Sequence, residues 1–191
     1  KVFIEPTGDS FSFWLKGKEY VYDERKEVAI PDVEGQHFVY FNESGVLTIS
    51  NIWSADIITK YAYVAVLYWD ADNNEVIYFG DERHSTAMDG DTHFSIHSSR
   101  GTLYYSGLAL GDFVVGGSGT LNTEAQFSIT SGIMYDEDLK ISLPSEAAPA
   151  NIPMWYKSGS SGNWRKTVAD DYPLVNAGTG RVAWNEFTGG S

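Results

Sequence analysis

Tyr61 to Trp69 reads Tyr-Ala-Tyr-Val-Ala-Val-Leu-Tyr-Trp, an almost unbroken run of apolar and aromatic residues. At nine residues it is far below the ~20 needed to cross a bilayer as a helix. Its β-branched and aromatic content favours an extended chain. A continuous apolar run of this length reads as a central strand buried on both faces. The residues that follow, Asp70-Ala71-Asp72-Asn73-Asn74, have the composition of a turn, and Glu75–Phe79 can return as the paired strand.

Upstream, the chain takes the same form with a clearer period. Phe11, Phe13 and Leu15 alternate with Ser12, Trp14 and Lys16, and Gly17-Lys18 turns the chain into Glu19–Tyr22. His37–Phe41 and Val46–Ser50 flank Asn42-Glu43-Ser44-Gly45, a polar hairpin loop ending in Gly. Ser54–Thr59 fits one helical turn with Ser54 as its cap. In this sheet the expected core is Phe13, Phe38, Tyr40, Val64, Val66 and Trp69.

The character changes at Asp81–Arg100, a polar stretch holding three of the four histidines. Asp89 or Asp91 can cap a short helix through about Ser99, and Gly101 can close it. Strand patterns resume over Leu103–Leu110, Phe113–Val115, Ala125–Thr130, Ile133–Tyr135 and Leu139–Leu143. Pro144–Pro153 reads as a linker or edge connection, and Ile152–Tyr156 with Trp164–Val168 flank a Gly/Ser hairpin turn. The last twenty residues read as loop. The expected class is therefore mainly β: an antiparallel β-sandwich or meander domain (1–80), a polar connector with a short helix (81–101), a second small β-rich region (102–143), and a linker with a terminal hairpin (144–191). A chain that starts at Lys1 and stops at Gly189-Gly190-Ser191 reads as part of a longer polypeptide.

Charge narrows the function classes. The formal net charge is -13, which disfavours nucleic acid and anionic membrane surfaces as partners, because both are recognised by clustered Lys and Arg. No cysteine is present, so disulfides, thiolate metal sites and cysteine nucleophiles are excluded. Gly116-Gly117-Ser118-Gly119 lacks the Lys-Ser/Thr that a phosphate loop needs. No Gly-x-Ser-x-Gly elbow occurs. Asp70, Asp72 and Asn74 sit at alternate positions of a calcium-loop pattern, but Glu75 stands where its Gly belongs, and a hairpin turn is the better reading.

The best cluster for chemistry is His84, His93 and His97 with Asp89 and Asp91. On a helix, His93 and His97 share a face, a spacing that can hold a transition metal through neutral imidazole. The competing reading is that these histidines cap the helix or hydrogen-bond at a subunit contact. No cofactor is otherwise expected. Among the aromatics, Tyr104, Tyr105, Trp155 and Trp164 are the candidates for an interface or a ligand platform.

Several ordered segments resemble the amino-terminal half of a group of tailed-phage virion proteins. They are Ile30–Phe41, Tyr63–Asp70, His84 with Met88-Asp89, Thr92-His93, His97 and Arg100-Gly101-Thr102, then Ser106-Gly107-Leu108, Tyr135–Asp138, Ala148–Pro153 and Trp184–Gly190. The resemblance covers most of the chain and carries no catalytic motif. It implies a non-catalytic structural protein of the virion, at a tail fibre or tail tip, that links or presents a host-recognition element. Its expected partners are itself, as a homotrimer with Leu103–Leu143 in the subunit contact, and other virion proteins, without nucleic acid or membrane insertion. The alternatives are a carbohydrate-binding receptor module for host-surface glycan, a capsid decoration or head-fibre protein, and a glycan depolymerase acting through paired carboxylates.

Overall fold

A computed structural model describes residues 1–84, 88–115, 125–166, 174–176 and 182–184. The chain divides into two compact units, Lys1–Gly101 and Thr102–Ser191. Segment 81–101, expected as a connector, falls within the first unit, and 144–191 falls within the second.

The first unit is built on a four-stranded antiparallel sheet of β5 (Gly35–Phe41), β6 (Leu47–Ser50), β7 (Ala62–Asp70) and β8 (Glu75–Asp81), in the order β6-β5-β7-β8. The apolar run is thus an interior strand, with β5 and β8 on its two sides. Over one face lie the hairpin of β2 (Phe11–Leu15) with β3 (Lys18–Tyr22) and the pair of β1 (Val2–Ile4) with β4 (Lys26–Val28). Phe13 stacks on Phe41 at 4.4 Å between ring centroids. Tyr22 anchors the same hairpin by donating from its hydroxyl to the Gly45 carbonyl.

Side-chain alternation holds along β5 and β7; of the expected core, Phe13, Val64 and Trp69 pack against the buried cluster, whereas Phe38, Tyr40 and Val66 lie outside it. Val39, Phe41, Ala65 and Leu67 are the buried set, joined by Val2 and Leu47. Phe38, Tyr40, Val64 and Val66 are only half-buried. The β2–β3 hairpin decides which face is covered: its Phe11, Phe13 and Tyr22 rings pack on Phe41, while the rings of the second face cover one another. There Phe38 packs against Trp53 at 5.1 Å and Tyr40 stacks on Tyr61 at 4.9 Å. His37 is fully buried on β5, its Nε2–H donating to the Val33 carbonyl at 2.8 Å.

The Asp70–Asn74 segment is the β7–β8 hairpin turn. Asp70 is buried and accepts from the Asn73 backbone and side-chain amides, and Asn74 takes a positive φ of 56°.

Two short helices follow the sheet. In α1 (Asp56–Thr59) the N-cap position is Ala55 rather than Ser54, although the Ser54 Oγ accepts from the Asp56 amide at 3.3 Å. Ile57 and Ile58 of α1 are buried. The second helix, α2 (Gly90–Ser99), starts at Asp89 and is followed by Gly101, whose φ of 51° suits a residue without Cβ.

In the second unit, β9 (Thr102–Gly107), β12 (Gly132–Asp136) and β13 (Leu139–Leu143) form a sheet in the order β13-β12-β9. β10 (Leu110–Val115) pairs with β11 (Ala125–Ile129), and β14 (Trp155–Ser158) with β15 (Asn163–Lys166). The last twenty residues are not all loop: β16 (Leu174–Asn176) and β17 (Val182–Trp184) pair antiparallel. Their three-residue length leaves no periodicity to read. Phe127, Ala150 and Leu174 form the core here, which is why the Ala/Pro-rich stretch packs into the unit instead of linking away from it. Residues 116–119 and Phe187 lie outside the described residues.

Candidate metal centre

Three side chains of the first unit converge: Glu82, His84 and His93. Each reaches the cluster for a local reason. The Glu82 amide donates to the Val64 carbonyl at 2.7 Å, which extends the β7–β8 pairing one residue past β8. His84 lies two residues on, so in an extended chain it projects to the same side as Glu82. His93 comes from α2, which is fixed at its start by Asp89. The Asp89 carboxylate accepts from the amides of Asp91 and Thr92 and from the Thr92 hydroxyl. These bonds, chiefly those from Thr92, hold its pKa below the ordinary carboxylate value.

Position along α2 depends on Gly90. A Cβ there would stand 2.8 Å from the Thr59 carbonyl oxygen at the end of α1, so only glycine permits this approach of the two helices. Glycine at the helix start therefore helps to set where His93 sits.

The ligand atoms form a tight triangle. His93 Nε2 is 2.8 Å from Glu82 Oε1 and 3.0 Å from His84 Nε2, and His84 Nε2 is 3.4 Å from Glu82 Oε1. The imidazoles meet edge to face, with centroids 4.3 Å apart and planes at 78°. All three side chains are largely withdrawn from solvent, at 17%, 18% and 11% exposure for Glu82, His84 and His93. They line one side of a cavity of about 890 Å³, together with Tyr63, Met88 and Asp89. Burial, and then the charge of Glu82, raise the Tyr63 phenol far above its ordinary pKa, so it stays a neutral donor.

Of the three histidines expected to gather, His84 and His93 do so and His97 does not join them. The His97 ring stands 6.1 Å from that of His93 and stacks against Trp53 at 6.3 Å. One helical turn separates His97 from His93, and the Trp53 contact draws it toward the aromatic face of the sheet. Glu82 takes the third place. The signal for it was the Glu-x-His spacing at the end of a strand, which orients both side chains alike.

The interface candidates are all exposed: Tyr104 at 65%, Tyr105 at 66%, Trp155 at 41% and Trp164 at 42%. Trp155 faces Lys166 across the β14–β15 hairpin, and Lys157 faces Trp164. The four therefore share one face, with each lysine ammonium 5.2 Å from the centroid of its cross-strand tryptophan.

No family model, curated protein or solved structure matches the chain.

Proposed function

We propose that this chain is a non-catalytic structural component of a tailed-phage particle, placed in the tail fibre or tail tip, that assembles with copies of itself. The observation that carries the assembly reading is β9. It is an edge strand, paired only with β12 among the described residues. Thr102, Leu103, Tyr104 and Tyr105 are all exposed in succession, so this strand builds little core on either face. The register with β12 skips Tyr105, a bulge of the kind found on sheet edges. Large exposed aromatics on an edge strand are an aggregation hazard unless another chain covers them. In a homotrimer the contact is head-to-tail, so β9 of each copy would be covered by a different surface of the next copy. The location on the particle rests on the resemblance of the ordered segments named above.

The test is the mass of the purified chain in solution by sedimentation equilibrium at micromolar concentration. A homotrimer that Tyr104→Glu and Tyr105→Glu reduce to monomer supports the proposal. A monodisperse monomer, indifferent to both substitutions, sinks its assembly part.

A second reading has its own observation, the Trp155–Lys157–Trp164–Lys166 face. Two half-exposed indoles flanked by cations fit an acidic host-surface saccharide, with stacking on the rings and ion pairing to the ammonium groups. Binding of the chain to uronate- or sialate-bearing glycans, lost in Trp164→Ala, would favour it.

A further inference from the structure

The geometry points to a divalent transition-metal site made by Glu82 Oε1, His84 Nε2 and His93 Nε2, with zinc the ion it fits best. This site goes beyond an assembly role and does not depend on it.

The contacts at His93 Nε2 compete for one proton. His93 Nε2 lies 2.8 Å from a carboxylate oxygen and 3.0 Å from another imidazole nitrogen. A single N–H can point along only one of them. If His93 donates to Glu82, the two imidazole nitrogens meet either as lone pair against N–H flank or as two N–H groups. If His84 donates to His93, the lone pair of Glu82 faces a nitrogen with no proton. One N–H thus cannot serve both of these contacts. A single cation bound by all three atoms satisfies their lone pairs together, and it offsets the cost of withdrawing the Glu82 carboxylate from water.

The point equidistant from the three atoms lies about 1.8 Å from each in their plane, and an ion about 1 Å above that plane reaches the ~2.0–2.1 Å of zinc–nitrogen and zinc–oxygen bonds. An ion above the plane of three ligands leaves a fourth tetrahedral position for water or an exogenous donor. Two imidazoles and one carboxylate select a borderline ion over calcium or magnesium, which want all-oxygen shells. The site would tie the chain after β8 to α2, locking two elements that are otherwise joined by a connecting segment.

Zinc alone is the probe. The 191-residue chain, stripped with chelator, is titrated with Zn²⁺ against a chromophoric competitor, and separately with Co²⁺ while the visible spectrum is recorded. One equivalent bound, with the intense visible bands of four-coordinate cobalt, is the expected result. Loss of a partner behind a ligand already costs about 10–100-fold in affinity. Glu82→Gln, His84→Gln and His93→Gln should therefore each weaken zinc at least about tenfold, whereas His97→Gln changes it little. Far-UV circular dichroism checks that each variant is folded, and the wild-type cobalt spectrum stands independently of any variant. No stoichiometric zinc binding, a six-coordinate cobalt spectrum, or an equal loss in His97→Gln overturns the assignment.

Discussion

In Gly90→Ala a single methyl group is added at the first residue of α2, and two effects oppose one another. Intrinsic helix propensity favours alanine over glycine by at most about 1 kcal/mol, and by less at a helix start than in its interior. Packing opposes the change. The new Cβ would lie 2.8 Å from the Thr59 carbonyl oxygen, 3.0 Å from its Cα and 3.1 Å from its carbonyl carbon. Ordinary carbon contacts sit at roughly 3.5–4.0 Å, so α2 must back away from α1 by about half an ångström or more. All three obstructing atoms are backbone, and α1 is held by buried Ile57 and Ile58, so no rotamer change gives relief. Overpacking of this kind costs about 1–3 kcal/mol, which exceeds the propensity gain. His93 rides on α2, and functional geometries tolerate about 0.5 Å of displacement. Gly90→Ala should therefore lower the urea midpoint of the first unit and weaken zinc about tenfold, although no ligand is altered. A variant more stable than wild type, with unchanged zinc affinity, would refute both the packing and its link to His93.

Leu67, fully buried on β7, should lose about 3–5 kcal/mol on truncation to alanine, whereas Val76→Ala, at 39% exposure on the adjacent strand, should lose under about 1 kcal/mol; urea unfolding compares them. Asp89 has a folded pKa below its unfolded one, so the stability it adds is present above the unfolded value and fades as pH falls through the lowered folded value. Asp89→Ala should lower the melting temperature near neutrality and lose that part of the acid dependence, as read by circular dichroism against pH. Salt should leave the Leu67 effect intact and reduce the Asp89 effect, since only the latter is an exposed charge interaction.

The residues announced the sheet because period-2 alternation and turn chemistry are local. The strand at Tyr61–Trp69, the polar turn after it and the capped helix ending before Gly101 all follow from near neighbours in sequence. Which face of β5 and β7 is buried did not follow, since both faces carry apolar residues and only the docking of the β2–β3 hairpin decides between them. The candidate site was half legible for the same reason. His93 and His97 share a helix face, but the third ligand depends on where β8 ends relative to α2, a contact across eleven residues that spacing does not encode. The β16–β17 pair was missed because three-residue strands are too short to show a period.

The proposed virion role is tested by cryo-electron microscopy of an intact tailed-phage particle from the source of this sequence, with the chain sought in the density. The expected result is copies of the chain grouped about a three-fold axis at the fibre root or tail tip, with β9 covered by a neighbouring copy. Density for the chain on the capsid shell, or no density for it anywhere on the particle, would rule out a place in the tail.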